Sequence, residues 1–286
     1  MAGLQVVPRV DTVNDVMTGW VVTISASDSL LKARDLMAHS LVSQLVVADH
    51  RNRPLGLISK RDIARFLLED TTTRDLKQIL VSEAASKSIP TLRPDLPVLN
   101  AARLFDMENL ACAIVTDDQP LAGVMTETDL CSYYSRKLAG KFIVSDFMSR
   151  DFIFAKSSYP VVHVAHAIIF RQPSVPVIDE ELVGILTLSD LLSIRERRPR
   201  ASRAGLLFSS KPDSSMALMT TKDLMTRDPI TSSEDTDLAQ AARIIVGKGI
   251  ASLPVIDSKS RVVGLLTKHD IVTALGRVGG SKILET

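Results

Sequence analysis

The chain has 286 residues, 45% of them hydrophobic and 23% charged, and its formal net charge at pH 7 is +1. This composition predicts a well-cored globular protein and argues against disorder or a general attraction to nucleic acid or membranes. No apolar run approaches the roughly 18 residues of a bilayer span, and the N-terminus lacks signal-peptide features, so we expect a soluble cytoplasmic protein that does not contact a membrane.

The first segment with helical periodicity covers residues 28–40, DSLLKARDLMAHS, with Asp28 or Ser29 as the expected N-cap. An apolar strand follows at 44–49 (QLVVAD), then a polar turn and a second strand near Gly56. A further helix is predicted to begin at residues 59–62. The predicted order of elements is therefore helix, strand, strand, helix.

This order recurs three more times along the chain, which predicts tandem repeats. In each copy a heptad carries glycine, then serine or threonine three residues later and aspartate six residues later: GLISKRD (56–62), GVMTETD (123–129), GILTLSD (184–190) and GLLTKHD (264–270). Three copies also have an upstream marker: Val16-Met17-Thr18, Phe147-Met148-Ser149 and Leu224-Met225-Thr226.

The heptad and its preceding strand resemble the cystathionine-β-synthase (CBS) domain, over roughly residues 13–276. The resemblance implies an α+β fold of four tandem CBS repeats, paired into two Bateman modules in a disc-like, pseudo-symmetric arrangement similar to the γ subunit of AMP-activated protein kinase. The expected boundaries are 13–70, 71–135, 143–195 and 220–276 for the repeats, with a basic linker at 196–219.

The heptad also suits a ribonucleotide on physical grounds. Unpaired amides at a helix start favour an anion, and an aspartate one turn later can accept two hydrogen bonds from a ribose diol. The resemblance implies the same use, with AMP, ADP, ATP or S-adenosylmethionine as ligand and no required cofactor. Carried over by position, the ribose pairs are Ser59–Asp62, Thr126–Asp129, Thr187–Asp190 and Thr267–Asp270, and the base-side residues are Val22, Thr23, Ile230 and Thr231.

The two residues between the hydroxyl and the aspartate differ among the copies. Lys60-Arg61 and Lys268-His269 place cations on the phosphate side, whereas Glu127-Thr128 and Leu188-Ser189 do not. Because charge-assisted bonds to phosphate are strong, we rank the first and fourth sites as the better nucleotide binders.

A second interpretation of the heptad stays open. Serine or threonine followed three residues later by aspartate is also a helix-capping arrangement, so folding alone could account for the pattern. In the same way, Lys60, Arg61 and Lys268 could form a solvated helix face.

Other candidate chemistry is weaker. His163 and His166 share a helix face but have no third metal ligand nearby in sequence, and Cys112 and Cys131 have no metal-type spacing. No catalytic triad, P-loop or paired catalytic carboxylate is found, so we expect neither a metal nor enzyme activity. Trp20, the only tryptophan, is expected in the core or an interface.

Residues 195–211, RERRPRASRAGLLFSSK, carry a local charge of +5. Arginine-rich segments can bind RNA, and a solvated linker is the alternative. The candidate RNA contacts are Arg195, Arg197, Arg198, Arg200 and Arg203.

Together these features predict a non-enzymatic regulatory protein that binds adenine nucleotides or a related adenosyl ligand. It would signal the energy state to a separate protein or ribonucleoprotein partner, and a homodimer is expected. The alternative is an RNA- or ribosome-binding scaffold of the hibernation or dimerisation type; an enzyme acting on nucleotides ranks third.

Overall fold

The structure is a computed structural model that describes residues 10–70, 74–117, 121–193 and 219–278. Within these ranges the α-helices are α1 (Val13–Val16), α2 (Leu30–His39), α3 (Lys60–Glu69), α4 (Val81–Ala84), α5 (Val98–Met107), α6 (Glu127–Lys137), α7 (Val161–Phe170), α8 (Leu188–Leu192), α9 (Thr221–Leu224), α10 (Leu238–Lys248) and α11 (Lys268–Val278). The strands are β1 (Thr23–Ile24), β2 (Gln44–Ala48), β3 (Pro54–Ser59), β4 (Thr91–Leu92), β5 (Cys112–Thr116), β6 (Leu121–Thr126), β7 (Ser174–Ile178), β8 (Leu182–Thr187), β9 (Thr226–Arg227), β10 (Ser232–Ser233), β11 (Ser252–Ile256) and β12 (Val262–Thr267).

The predicted helix boundaries agree closely with the structure. Ser29 caps α2 by accepting a hydrogen bond from the Lys32 amide at 3.3 Å. The helix α10 ends at Gly249, whose φ of 62° is the left-handed conformation that glycine adopts without a steric cost.

Each of the four sheets has three strands, in the orders β1-β2-β3, β4-β5-β6, β7-β8-β9 and β10-β11-β12. In the first repeat β1 and β2 are parallel, β2 and β3 are antiparallel, and Gly56 pairs with Val47. The heptad glycine has the same register in the other three repeats. The heptad hairpins of the four copies are therefore equivalent in register. The third sheet differs, because its strand β9 comes from the fourth repeat and runs antiparallel to β8, and a single parallel bridge between Ala155 and Val177 stands where the other repeats have a first strand.

The repeats pair through their sheets. An apolar cluster joins Val46 and Leu57 of the first repeat to Cys112 and Ile114 of the second. In the other pair the buried hydroxyls of Ser174 and Ser252 are hydrogen-bonded to each other between β7 and β11. These contacts form the two expected modules.

The modules meet through helices. The helix α11 packs along α5 and α6, and α10 packs on α6, while α3 packs on α8 and α7. The second repeat therefore faces the fourth, and the first faces the third. The largest apolar cluster lies across the contact of the second and fourth repeats and includes the fully buried Phe105, Tyr134, Ile245 and Leu275. None of the helices in the described ranges is long and apolar enough to cross a bilayer.

Candidate functional site

Each heptad strand is crossed by a short segment from the other repeat of its module. Thr18 of the first repeat exchanges backbone hydrogen bonds of 2.9 and 3.0 Å with Val124, the residue after the second heptad glycine. The other three crossings pair Ser86 with Leu57, Ser149 with Leu265, and β9 with β8. We use the term crevice for the candidate site between the start of each heptad helix and the segment that crosses its strand. Each crevice therefore has residues of both repeats of a module.

These crossings explain the glycine of the heptad. A Cβ atom on Gly56 would lie 2.5 Å from the carbonyl oxygen of Ser86. The other three would meet a methionine sulfur at 2.5 to 2.8 Å: Gly123 on Met17, Gly184 on Met225 and Gly264 on Met148. At Gly56 and Gly123 a side chain would require the backbone of the crossing segment to shift, whereas at Gly184 and Gly264 the methionine side chain would have to move, so the glycine is a packing requirement of differing strictness.

The crossing segment of the second repeat, Ala84-Ala85-Ser86, was not identified from the sequence because alanine replaces the methionine of the marker. A positional signal was present. The segment ends a short helix, α4, just as the Thr18 segment follows α1 and the Thr226 segment follows α9.

One oxygen of each heptad aspartate caps its own helix. Asp62 Oδ2 accepts hydrogen bonds from the Ser59 amide at 2.9 Å and the Ser59 hydroxyl at 2.6 Å. The same two bonds measure 2.7 to 2.8 Å in Thr126–Asp129, Thr187–Asp190 and Thr267–Asp270. The capping interpretation is thus correct for one oxygen, and a ligand would have to use the other.

The second oxygen differs among the repeats. Oδ1 of Asp129 accepts a hydrogen bond from the Thr18 hydroxyl at 3.0 Å, and Oδ1 of Asp190 accepts one from Thr226 at 3.4 Å. Arg65 donates to Oδ1 of Asp62 at 2.8 Å.

No described residue donates to Oδ1 of Asp270. Burial raises the pKa of Asp270 despite the two bonds from Thr267, because the charged carboxylate loses solvation. A hydroxyl donor from a ligand would restore part of that solvation.

The expectation of unpaired amides at the helix start is wrong for several of them. The Lys60 amide donates to the carbonyl of Ser43 at 3.0 Å, and the Asp62 amide donates to the Ser59 hydroxyl at 3.1 Å. The Glu127 amide donates to a carbonyl in the same way. Ser43 directly precedes β2, whose first residue pairs with Ser59. The Ser43 carbonyl therefore lies beside the start of α3 and accepts a hydrogen bond from an amide that was expected to face an anion.

The predicted phosphate-side lysines lie at the junction of the two modules. Nζ of Lys60 donates to the Ser189 hydroxyl at 3.3 Å, and Nζ of Lys268 donates to the Thr128 hydroxyl at 2.9 Å. Burial lowers the pKa of Lys60, and the charge of Lys268 lowers it further. Both lysines are half-buried and their charges interact, whereas Arg61 is exposed.

His269 lies in a polar cluster that also joins the modules. Its Nδ1 is 3.2 Å from Glu127 Oε1, and its Nε2 is 3.7 Å from Asp106 Oδ1. The hydrogen bond with Glu127 is the main cause of the raised pKa of His269. His269 is thus engaged with two carboxylates of the opposite module.

The predicted base-side residues lie at the same end of the sheet as the heptad aspartate. Ser59 pairs with Gln44 at the amino end of β2, and β1 runs parallel to β2, with Thr23 opposite Val46. The preceding Val22 is packed against the core of the first repeat. In the fourth repeat Ile230, which is 40% exposed, and Thr231 directly precede β10.

Of the two positions expected for Trp20, the core is wrong, because its side chain is 85% exposed, and the interface stays a prediction. It lies between Thr18, which contacts the second repeat, and β1 of the first. The chain crosses between the sheets at this point, so Trp20 has no apolar layer to enter.

Neither the histidine pair nor the two cysteines form a metal site in the described part of the chain. His163 and His166 are exposed on α7, where the ring of His166 stacks on Phe170 at 4.7 Å, and no potential metal cluster of three ligands exists in the described part of the chain. Cys112 and Cys131 are buried free thiols. The candidate RNA contacts Arg195, Arg197, Arg198, Arg200 and Arg203 lie outside the described residues.

The chain matches the family model of the CBS domain at residues 13–69, 81–136, 144–197 and 222–277. Protein MJ1225 of Methanocaldococcus jannaschii is 26% identical over 88% of this chain and 94% of its own length. Its crystal structure, proposed as that of an archaeal homolog of γ-AMPK, covers 92% of this chain and 99% of its own with a TM-score of 0.80 and 24% identity.

An uncharacterised 33.4 kDa protein in the ribosomal RNA operon of Thermofilum pendens is 24% identical over 91% of this chain and 89% of its own length. The CBS domain pair of protein MJ0100, solved with 5′-methylthioadenosine and S-adenosyl-L-methionine, covers 45% of this chain and 99% of its own, at 21% identity and a TM-score of 0.41. With four matched repeats that include all four heptads, the chain belongs to the CBS domain family.

Proposed function

We propose that the chain is a non-enzymatic regulatory protein that binds an adenine nucleotide or a related adenosyl ligand in the heptad crevices. The observation that carries the proposal is Oδ1 of Asp270, which has no hydrogen-bond donor among the described residues while the other oxygen caps α11. The raised pKa of this carboxyl supports a site that gains from a ligand donor.

The neighbours of Asp270 suit the rest of a nucleotide. Ile230 and Thr231 offer an apolar and a polar contact for the base at the adjoining end of β10. Lys268 begins the helix on the other side, where a phosphate would replace part of its lost solvation. In this proposal the ribose lies on the carboxylate, the base on the strand and the phosphate on the lysine.

The first repeat ranks second. Oδ1 of Asp62 is paired with Arg65, whose side chain is 46% exposed. An exposed ion pair of this kind is worth little, so a ribose hydroxyl can replace the guanidinium. Lys60 stands in the position that Lys268 has in the fourth repeat.

Ligand binding would be transmitted to the rest of the molecule through the crossing segments. A ligand on Asp270 contacts a crevice whose wall includes the Ser149 segment of the third repeat, so occupancy favours one relative orientation of the two repeats. The partner that reads this orientation is proposed to be a separate protein or ribonucleoprotein. The arginines that would favour a ribosome-binding scaffold lie outside the described residues, and no described contact favours that alternative.

Titration calorimetry with AMP, ADP, ATP and S-adenosylmethionine tests the proposal. We expect at least one ligand to bind and Asp270→Ala to weaken that binding at least about tenfold, the loss of one or two hydrogen bonds to a charged group. The matched control is Asp223→Ala, since Asp223 makes the same capping bonds with Thr220, both 2.8 Å, outside any heptad. Equal affinities of the two variants would leave only the capping role.

A further inference from the structure

The four crossing segments have the same backbone pairing but different side-chain hydrogen bonds. The Thr18 and Thr226 hydroxyls donate to the second oxygen of the heptad aspartate in the paired repeat. The serines at the equivalent positions turn away: the Ser149 hydroxyl donates to the carbonyl of Asp151 at 2.9 Å, and that of Ser86 to the carbonyl of Ser88 at 3.2 Å.

The residue type explains the difference. The β-methyl group of threonine restricts χ1, whereas serine reaches a local carbonyl easily. Backbone bonds on both sides of Thr18 and Ser149 hold these residues over Asp129 and Asp270 respectively. Threonine at this position therefore directs its hydroxyl to the carboxylate. Serine leaves Oδ1 of Asp270 without a donor from the crossing segment, and Oδ1 of Asp62 is bonded to Arg65 of its own helix instead.

We propose that Thr18 and Thr226 are internal competitors of the ligand, which hold the crevices of Asp129 and Asp190 closed to a ribose hydroxyl. This inference rests on the proposed function and deepens it by assigning the order in which the crevices fill. The ligand enters at Asp270 first, where the crossing residue is a serine and Oδ1 has no donor among the described residues, and at Asp62 it must displace the half-exposed Arg65 instead. At Asp129 and Asp190 it must first break a hydrogen bond made by the other repeat of the module.

The expected effect of this competition on ligand affinity is modest. One exposed neutral donor on a carboxylate contributes a net affinity factor of about three to ten. The threonines therefore delay binding at two crevices and do not abolish it. Because each threonine belongs to the opposite repeat, filling these crevices also releases a contact between the two repeats of a module.

The first arm of the test uses the full chain with Asp62→Asn and Asp270→Asn, which leaves the two middle crevices, and AMP as the probe in calorimetry. Adding Thr18→Val keeps the side-chain shape but removes the hydroxyl. We expect it to tighten AMP binding about three- to tenfold, and Thr226→Val to do the same. Adding Asp129→Asn to the Thr18→Val chain should cancel its gain, which locates the effect at that crevice.

The second arm reverses the change at the fourth crevice. Ser149→Thr in the otherwise native chain should weaken AMP binding about three- to tenfold, with Ser149→Ala as the control that adds no competitor. Unchanged or weaker binding after Thr18→Val and Thr226→Val, including no binding at all in that background, overturns the inference.

The inference and the proposed function fail separately. AMP binding by the native chain without the expected gain would leave the proposed function standing and remove only the competition. If neither the native chain nor any threonine variant binds AMP, the adenine-nucleotide function fails and the inference fails with it.

Discussion

Each heptad aspartate has two oxygens, and they have different tasks. Oδ2 of Asp62 and of Asp270 caps the helix that each belongs to, while Oδ1 is bonded to Arg65 in Asp62 and has no donor among the described residues in Asp270. The capping and binding interpretations of one spacing are thus compatible, because one carboxylate can serve both. Because the same carboxylate would serve both tasks, ligand binding in the crevice and the stability of the helix start are expected to be coupled.

The heptad glycine gives a stability prediction. Gly56→Ala should lower the free energy of unfolding by about 1–3 kcal/mol, because the new Cβ would lie 2.5 Å from a backbone oxygen that cannot move alone. Gly247→Ala in the last turn of α10 is the matched control, since nothing lies within 4 Å of its Cβ position, and alanine there should leave stability unchanged or raise it by up to about 0.5–1 kcal/mol. Urea unfolding measures both, and equal losses would contradict the packing account.

His269 gives a pH prediction. Its pKa is raised in the folded chain, first by the hydrogen bond with Glu127, so its contribution to stability is complete below about pH 6.5, its unfolded pKa. The contribution is lost as the pH rises through the folded pKa. Asp106 and Asp270 raise the pKa of His269 by smaller amounts in the same direction.

The urea midpoint should therefore fall between pH 6 and pH 9 by more in the native chain than in Glu127→Gln, whose neutral amide no longer favours the charged imidazole of His269. An equal fall in both chains would show that the cluster does not couple His269 to Glu127.

At the scale of single residues, the spacing alone identified the four Ser/Thr–Asp pairs and their capping role. It did not predict that Lys60 and Lys268 reach hydroxyls of the opposite module, or that Thr18 reaches Asp129. Those contacts join residues more than 100 positions apart. Local periodicity carries no information about such pairs.

At the scale of elements, the helices and strands followed from periodicity and capping because all four copies repeat the same signals. The second crossing segment was missed, since Ala84-Ala85 lacks the methionine that marks the others. Of the two glycines near the end of α10, Gly247 lies within the helix and Gly249 is the left-handed C-cap. A glycine signal near a helix end places the end only to within a turn.

The contact between α11 and α5 gives a second stability prediction. Leu275→Ala should lower the free energy of unfolding by about 2–5 kcal/mol, because Leu275 is fully buried where the second and fourth repeats meet. Met107→Ala on α5, where the methionine is 78% exposed, is the control and should change stability by less than about 0.5 kcal/mol. A loss for Leu275→Ala as small as the control value would mean that the modules do not pack through these helices.

At the scale of the whole molecule, the four heptad helices begin near the junction of the two modules. Lys60 and Lys268 bring two partly desolvated ammonium groups to that junction. Their mutual repulsion is a cost of the arrangement in the absence of an anion. The disc-like pairing followed from the repeat count and the family resemblance, whereas the identity of the facing repeats required the three-dimensional contacts.

An anion at this junction should stabilise the chain. Inorganic tripolyphosphate is expected to raise the melting temperature of the native protein, because it relieves the repulsion between the two lysines. The double variant Lys60→Met and Lys268→Met should show a smaller rise. Differential scanning fluorimetry at fixed ionic strength makes the comparison, and equal shifts in both chains would place the anion elsewhere.

The central claim is that a heptad carboxylate accepts hydrogen bonds from a ribose diol. Calorimetric titration of the native chain with AMP and with 2′,3′-dideoxy-AMP tests it most directly, because the two ligands differ only in the two hydroxyls. We expect the dideoxy ligand to bind at least about tenfold more weakly. Equal affinities, or no binding of either nucleotide, would contradict the account.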